Sequence, residues 1–326
     1  MSGKILKTKR LFVRKRRGEY KVLITGSSGM LGIDLSHSLL NDYEVYGLDL
    51  VRSPYSIVRS FYKSDITDKK NVLNIIKGLK PDIVIHSAAL TDVDGCEISK
   101  KKAYKINSEG TKNIALACKA AGSALVYVST DFVFDGNARR RYREDDKPNP
   151  ISTYGDSKLR GEEAVKKILK RYFILRTSWL YGNCGKNFVD TILSKAKTKK
   201  TLKVVNDQVG TPTYTKDLAK VVHLLLNKIF TKYGIRNMGY GVYHVSNSGS
   251  VSWYEYAKAI LGIAQLKTRV TPISSEELGR AAKRPSMSVL DNSKFIKFTG
   301  YRMRNWKDAL KEHILRKAEV ELCCKN

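Results

Sequence analysis

Acidic residues are scarce in this chain: 31 Asp and Glu face 60 Lys and Arg, a formal net charge of +29 over 326 residues. A basic surface attracts phosphate without sequence preference, so nucleic acid has to be weighed as a partner. The charges, however, are spread along the whole chain, and no zinc-finger, homeodomain or RNP-type motif goes with them. That argues against a dedicated nucleic-acid role and for a solvated lysine surface that helps steer an anionic substrate. Cysteine is sparse as well. Cys96, Cys118, Cys184, Cys323 and Cys324 show no metal-ligand spacing, which suggests buried or incidental thiols in a reduced, cytoplasmic compartment and no metal. No segment approaches the run of roughly 18 apolar residues that a membrane-spanning helix needs. An apolar fraction of 42% still suffices for one large or two modest cores.

Residues 1–19 carry eight Lys or Arg and one acid, Glu19. With so little to bury, this segment reads as a flexible basic arm. It lacks the apolar core of a secretory signal. Its acid-poor composition also suits an organelle transit peptide, although serine is short.

Tyr20–Thr25 is an apolar, β-branched run of the buried-strand type. It leads straight into Gly26-Ser27-Ser28-Gly29-Met30-Leu31-Gly32 and then a helical pattern through Leu35, Leu39 and Leu40. A glycine turn between strand and helix lets the backbone approach a pyrophosphate, whose charge the helix N-terminus stabilises. A second strand, Glu44–Asp49, ends in a carboxylate about 20 residues on, where a ribose would be held. The alternation continues with a strand at 61–65, a helix at 69–79 stopped by Pro81, and a strand at 82–89 ending in small residues. A long helix follows over 100–122, and then the strand Ala124–Val128. Strand–helix alternation of this kind predicts an α/β fold with a doubly wound parallel sheet. His86, within an apolar strand, reads as a satisfied core residue, with a catalytic base as the alternative.

Strands of covered parallel sheets present ligand-facing residues at their carboxyl ends. Thr130 and Asp131 are therefore expected at the mouth of a site. Tyr154 and Lys158 are four apart and share a helix face. An ammonium near a phenol favours the phenolate and lowers its pKa towards working pH. Alone, Tyr-x-x-x-Lys is a weak signal in a chain with 18 Tyr; the glycine turn upstream corroborates it.

Five motifs in order make the resemblance specific. They are Ser129-Thr130-Asp131-Phe132-Val133-Phe134-Asp135-Gly136, Tyr154-Gly155-Asp156-Ser157-Lys158-Leu159-Arg160-Gly161-Glu162 and Arg176-Thr177-Ser178-Trp179-Leu180-Tyr181-Gly182. The others are Asn206-Asp207-Gln208-Val209-Gly210-Thr211-Pro212-Thr213, and Arg284-Pro285 followed by Ser288 and Leu290-Asp291. From about residue 20 to 310 the chain resembles the extended short-chain dehydrogenase/reductases, and among them the dTDP-4-dehydrorhamnose reductase family. The resemblance implies a Rossmann-type sheet domain (20–178 plus 205–246) and a smaller mixed substrate-binding lobe (179–204 plus 247–326). It implies reduction of a nucleotide-linked 4-keto-6-deoxy sugar by NADPH, with NADH also accepted. Thr130, Tyr154 and Lys158 would be the catalytic set. Gly26, Gly29, Met30, Leu31 and Gly32 would take the pyrophosphate, Asp49 the adenosine ribose, Asp65 and Ile66 the adenine, and Ala89, Leu90 and Thr91 the rest of the dinucleotide. Tyr154 and Lys158 would also touch the cofactor, and Val93, Thr130, Asp131 and Trp179 the sugar. His86-Ser87 replaces the family's common Asn-Ala.

Some bacterial relatives join as dimers through an acidic magnesium site. Here the first position of that site keeps Asp34, but the acidic pair falls in Thr198-Lys199-Lys200-Thr201. Ammonium groups repel the ion, so a monomer or a homodimer without a metal bridge is expected, with no nucleic acid and no membrane. Two further readings compete: an epimerase/reductase for UDP-linked sugars, and a non-catalytic relative of the methionine adenosyltransferase regulatory subunit. The Arg139–Arg143 run reads as a solvated loop, with phosphate contact as the alternative.

Overall fold

The structure, a computed structural model, describes residues 18–233 and 239–323. All but the last two residues of the basic arm lie outside these. The first strand, β1 (Lys21–Thr25), is followed by α1 (Met30–Leu39), β2 (Glu44–Asp49), β3 (Ser60–Lys63), α2 (Lys69–Leu79) and β4 (Ile83–His86). Next come α3 (Val93–Ile98), α4 (Lys100–Ala103), a π-helical stretch (Tyr104–Gly110), α5 (Thr111–Ala121) and β5 (Ala124–Thr130). Then follow α6 (Thr153–Ile168), β6 (Tyr172–Thr177), β7 (Leu180–Tyr181), α7 (Phe188–Ala196), β8 (Thr201–Val205), β9 (Val209–Gly210), β10 (Thr213–Tyr214) and α8 (Thr215–Asn227). The chain continues through β11 (Gly241–His244), β12 (Val251–Ser252), α9 (Trp253–Ile263), β13 (Arg269–Ile273), α10 (Ser275–Leu278), α11 (Ser293–Thr299) and α12 (Trp306–Cys323).

Seven strands form one parallel sheet in the order β11-β6-β5-β4-β1-β2-β3. Successive residues of a strand face opposite sides. Val22, Ile24, Ile83, Ile85 and Val126 accordingly pack with Leu35 of α1 and Leu218 and Val222 of α8. Leu23, Val84, Leu125 and Tyr127 pack with Val72 of α2, Ile114 of α5 and Val165 of α6. Both faces are covered, which is why these strands are apolar throughout. Three two-stranded pairs, β7–β10, β9–β12 and β8–β13, stand apart from the main sheet. A separate core of Val189, Ile192, Leu202, Tyr256, Ile260 and Trp306 joins α7, α9 and α12.

The expected helix at 69–79 forms with the capping its ends call for. Asp68 accepts from Asn71 N at 3.0 Å, and Lys80 closes the helix in the left-handed region just before Pro81. The single helix expected over 100–122 does not form. It is broken by the π stretch at Tyr104–Gly110. Asn107 sits within that stretch, fully buried, its Oδ1 accepting from Leu90 N (2.8 Å) and its Nδ2 donating to Leu90 O (3.0 Å) and Ser157 Oγ (3.1 Å). The wider turn ties the helix to the loop after β4 and to α6, in the manner of π-bulges near functional sites. The strand expected at 61–65 is also shorter, so Asp65 and Ile66 lie in the loop beyond it. The Arg139–Arg143 loop is partly self-paired: Arg140 bridges Asp146 at 2.6 Å, while Tyr142 turns inward onto Phe134.

Candidate active site

Sheets of this topology leave a crevice where neighbouring loops diverge at the carboxyl edge. Here β1 is that point, with β2 on one side and β4 on the other. A cavity of about 860 Å³ opens there. It is lined by every residue expected to serve in catalysis or in cofactor or sugar binding: Gly26, Gly29, Met30, Leu31, Gly32, Asp49, Asp65, Ile66, Ala89, Leu90, Thr91, Val93, Thr130, Asp131, Tyr154, Lys158 and Trp179; His86, the alternative base, is not among its walls.

The glycine turn admits nothing larger at its tightest point. A Cβ on Gly32 would lie 2.0 Å from Gly26 O, and Gly26 itself has φ +72°. No side chain caps α1 and no acid occupies its first turn, so its amide groups remain available to an anion. At the end of β2, Asp49 accepts from Ser28 N (3.0 Å) and Leu50 N (2.7 Å), which holds its carboxylate beside the turn. Lys102, Lys158 and Lys186 bring positive charge to the walls, while Arg284 is held there by both carboxylate oxygens of Asp94 (3.0 and 2.9 Å). An anion-accepting turn, a fixed carboxylate and a cationic lining together fit a dinucleotide diphosphate.

Thr130 ends β5. Its hydroxyl donates to Asp131 Oδ1 (3.0 Å), accepts from Phe132 N (3.2 Å), and stands beside the Tyr154 phenol. Thr130 and Asp131, expected at the mouth of a site, line the cavity, and both are buried. Asp131 Oδ2 has no hydrogen-bond partner within bonding geometry. Burial pushes this carboxyl up to about 7, against the Ser288 and Thr130 hydroxyls, which lower it. Tyr154 and Lys158 do share one face of α6, whose N-cap Ser152 accepts from Gly155 N. The Lys158 ammonium donates to Val128 O at 2.8 Å and lies over the Tyr127 ring at 4.2 Å. Burial brings Lys158 down to about 7, with the Glu162 carboxylate opposing. The expected lowering of the phenol is absent here, because burial raises Tyr154 and the Thr130 hydrogen bond only partly offsets it.

His86 is a satisfied core residue. Thr111 spends its hydroxyl proton on Asn107 O (2.7 Å), so it accepts from His86 Nε2–H (3.0 Å), leaving Nδ1 to accept from Thr25 Oγ1 (2.7 Å). Burial brings the ring down to about 3, so it stays neutral.

Trp179 has a left-handed backbone, φ +45°. Its indole stacks on Trp253, centroids 3.4 Å apart, and Gly210 abuts it so closely that a Cβ there would come within 2.4 Å of the ring. Trp253, Lys102 and Lys186 were not legible as site residues. None belongs to a motif, and only the fold brings them to the cavity. A second cavity of about 450 Å³ shares Trp253 and Arg284 with the first. It has apolar walls at Phe188, Ile192 and Val204 and cations at Lys195, Lys199, Lys203 and Arg280. Asp34 does not face solvent: it is buried and accepts from Thr215 Oγ1 at 2.5 Å, while Lys199 and Lys200 are exposed. Among the described residues no group of three or more His, Cys, Asp or Glu could hold a metal, and no helix is long and apolar enough to cross a membrane.

The family described as "RmlD substrate binding domain" matches residues 20–319. The chain is 42% identical over 295 residues to the spore coat polysaccharide biosynthesis protein SpsK of Bacillus subtilis, covering 90% of this chain and 96% of that protein. It is 38% identical over 299 residues to the dTDP-4-dehydrorhamnose reductase of Aggregatibacter actinomycetemcomitans, covering 89% and 97%. The crystal structure of dTDP-4-dehydrorhamnose reductase from Bacillus anthracis in complex with NADP superposes with a TM-score of 0.81 at 38% identity, over 93% of this chain and all of that one. Ordered motifs, a parallel sheet with the cavity at its switch point and end-to-end similarity agree: this chain belongs to the dTDP-4-dehydrorhamnose reductase family of extended short-chain dehydrogenase/reductases.

Proposed function

We propose that this protein is an NADPH-dependent reductase that converts dTDP-4-dehydro-L-rhamnose to dTDP-L-rhamnose by reducing the sugar's C4 keto group, and that it also accepts NADH. The observation that carries this reading is that Thr130, Tyr154 and Lys158 line the one cavity that the glycine turn also lines, with the Thr130 hydroxyl beside the Tyr154 phenol. When bound, the nicotinamide cofactor supplies the hydride.

The chain's own groups hold the cofactor and the sugar and handle the proton. The glycine turn and α1 hold the diphosphate, Asp49 the adenosine ribose, Asp65 and Ile66 the adenine, and Ala89, Leu90 and Thr91 the remainder of the dinucleotide. Thr130 orients the sugar carbonyl oxygen, and Tyr154 donates a proton as negative charge grows on that oxygen. A phenol raised by burial is a weak acid in the free protein; an alkoxide is a far stronger base and accepts its proton readily. Lys158 stabilises the phenolate left behind and binds the nicotinamide ribose. Asp131, Val93 and Trp179 border the sugar. The second cavity, with apolar walls and with Lys195 and Lys199 beside Lys203 and Arg280, which already pair with Glu277 and Asp94, suits the nucleoside diphosphate end. Residues 179–204 and 247–326 act as the substrate lobe, and the protein works in the cytoplasm as a monomer or as a dimer without a metal bridge.

Turnover assays across dTDP- and UDP-linked 4-keto sugars with both cofactors test the reading. NADPH consumption with the dTDP sugar is the expected result. Cofactor binding without turnover of any sugar would overturn it in favour of a regulatory role, and faster turnover of UDP sugars would overturn the assigned base.

A further inference from the structure

Behind the cavity wall a single carboxylate joins the two elements that carry the proposed chemistry, α6 and β5, to β6. Glu162 lies on α6, four residues beyond Lys158 and eight beyond Tyr154, on the same face. It is fully buried, as is its partner Arg176 of β6. Arg176 Nε donates to Glu162 Oε1 at 2.9 Å and Nη2 to Oε2 at 2.8 Å. Ser129 Oγ of β5 donates to the same Oε1 at 2.6 Å. Ser129 and Arg176 are register partners across the sheet, one residue before the partners Thr130 and Thr177, which both line the cavity.

Glycine contacts hold α6 close against this part of the sheet. A Cβ on Gly155 would lie 2.1 Å from Phe132 O, and one on Gly161 would lie 2.5 Å from the Tyr127 hydroxyl. These contacts limit how near the helix comes, but a contact between surfaces does not stop it sliding along its axis. Directional hydrogen bonds do. Burial works against the Glu162 charge, yet Arg176 and Ser129 keep its carboxyl below the ordinary value, so the anion that accepts all three bonds persists at neutral pH.

We propose that Glu162, clamped by Ser129 and Arg176, is a positioning residue that sets the height of Tyr154 and Lys158 on α6 against Thr130 at the end of β5. The inference rests on the reading of Thr130, Tyr154 and Lys158 given above. A displacement of about 1 Å between reacting groups costs on the order of a hundredfold in rate, so a clamp at this point governs kcat more than binding.

Ser129→Ala tests it with least risk to folding, because the Glu162–Arg176 pair remains. The expected result is a kcat lowered about tenfold or more, with KM values for cofactor and sugar nearly unchanged. The solvent deuterium isotope effect on kcat should rise as the misaligned proton transfer becomes rate-limiting, and Ser129→Thr, which keeps the hydroxyl, should restore both. Glu162→Gln leaves Arg176 buried and unpaired and endangers the fold. The pair Glu162→Met with Arg176→Met removes both charges, and it should fold yet stay slow. Parental kcat and isotope effect in Ser129→Ala or in the double Met variant, beside an inactive Tyr154→Phe, would overturn this inference alone. Parental turnover by Tyr154→Phe would overturn the underlying reading, and the inference with it.

Discussion

Trp179 and Trp253 lie face to face, ring centroids 3.4 Å apart and planes within 6° of parallel. Trp253 opens α9 and is backed by Phe188 of α7 at 4.5 Å, while its Nε1 donates to Gln208 Oε1 at 3.2 Å. A sugar was expected against Trp179. Trp253 already covers one face of that indole, so the two rings form one wall, and Trp253 serves both cavities.

Removing Trp253 should therefore act on the sugar nucleotide and spare the dinucleotide. Trp253→Ala deletes the stacking partner and part of the shared wall. The KM for the dTDP sugar should rise about tenfold, or about 1.4 kcal/mol, while the dissociation constant for NADPH measured by fluorescence stays within about twofold. Equal losses for both ligands would show that Trp253 serves the fold alone.

Tyr154→Phe keeps the ring that packs edge-on against Phe132 at 5.7 Å and deletes the proton donor. Turnover should fall at least about a hundredfold, which is about 2.7 kcal/mol of barrier, with NADPH binding unchanged. Activity within about tenfold of the parent would remove Tyr154 from its role.

How much of this was legible beforehand follows from where each signal lives. The sheet strands showed because a strand covered on both faces has to be apolar along its length, as Val22-Leu23-Ile24 and Ile83-Val84-Ile85 are. The walls of the cavity showed because motif residues sit at strand ends, which the alternation of strands and helices locates. Trp253 did not show, since an aromatic opening an amphipathic helix has the same local pattern whether it faces a core or a ligand. The π stretch around Asn107 was equally invisible, because the side-chain bonds to Leu90 and Ser157 that accompany it are tertiary.

Cofactor choice turns on Asp49 and Arg52. The Asp49 carboxylate favours a free ribose 2′-hydroxyl and repels a 2′-phosphate, but two backbone amides already share its charge. Arg52, exposed three residues on, can pair with the phosphate. NADPH and NADH should both support turnover, and Arg52→Ala should weaken NADPH about tenfold without touching NADH. Steady-state kinetics with each cofactor checks this. A variant that loses both cofactors equally would show that Arg52 does not read the phosphate.

The pH profile of kcat/KM reports groups of the free enzyme. Burial places both Lys158 and Asp131 near 7. Above that pH Lys158 loses the charge proposed to steady the phenolate, and Asp131 gains one among buried groups at the proposed sugar site. Both changes act in the same direction, so kcat/KM should fall as pH rises beyond about 7. Asp131→Asn removes one of the two titrations and should make the decline shallower, with a slope nearer one proton than two. An unchanged slope would show that Asp131 does not titrate there.

Acid should unfold this protein through its histidines before its carboxylates. His86 and His244 are brought down to about 3 and His313 to about 4, each chiefly by burial. A histidine whose folded pKa lies below its unfolded value near 6.5 binds its proton only on unfolding. The unfolded state then carries more protons, and stability falls as pH drops from about 6.5 towards 3–4. Each such proton is worth about 1.4 kcal/mol per pH unit; Asp131, protonated in the fold below about 7, offsets about one of the three, which leaves about 3 kcal/mol per unit between pH 6 and 5. His313 offers the cleanest test. Both its ring nitrogens are buried without hydrogen-bond partners, and its ring sits edge-on to Tyr181 and Tyr214 in the separate core of α7, α9 and α12. His313→Leu removes one titration and two unsatisfied polar atoms at once. It should match or exceed the parent in stability at pH 7, and the pH slope from urea unfolding should drop by about one proton. A slope equal to the parent's would mean that His313 is protonated in the folded protein.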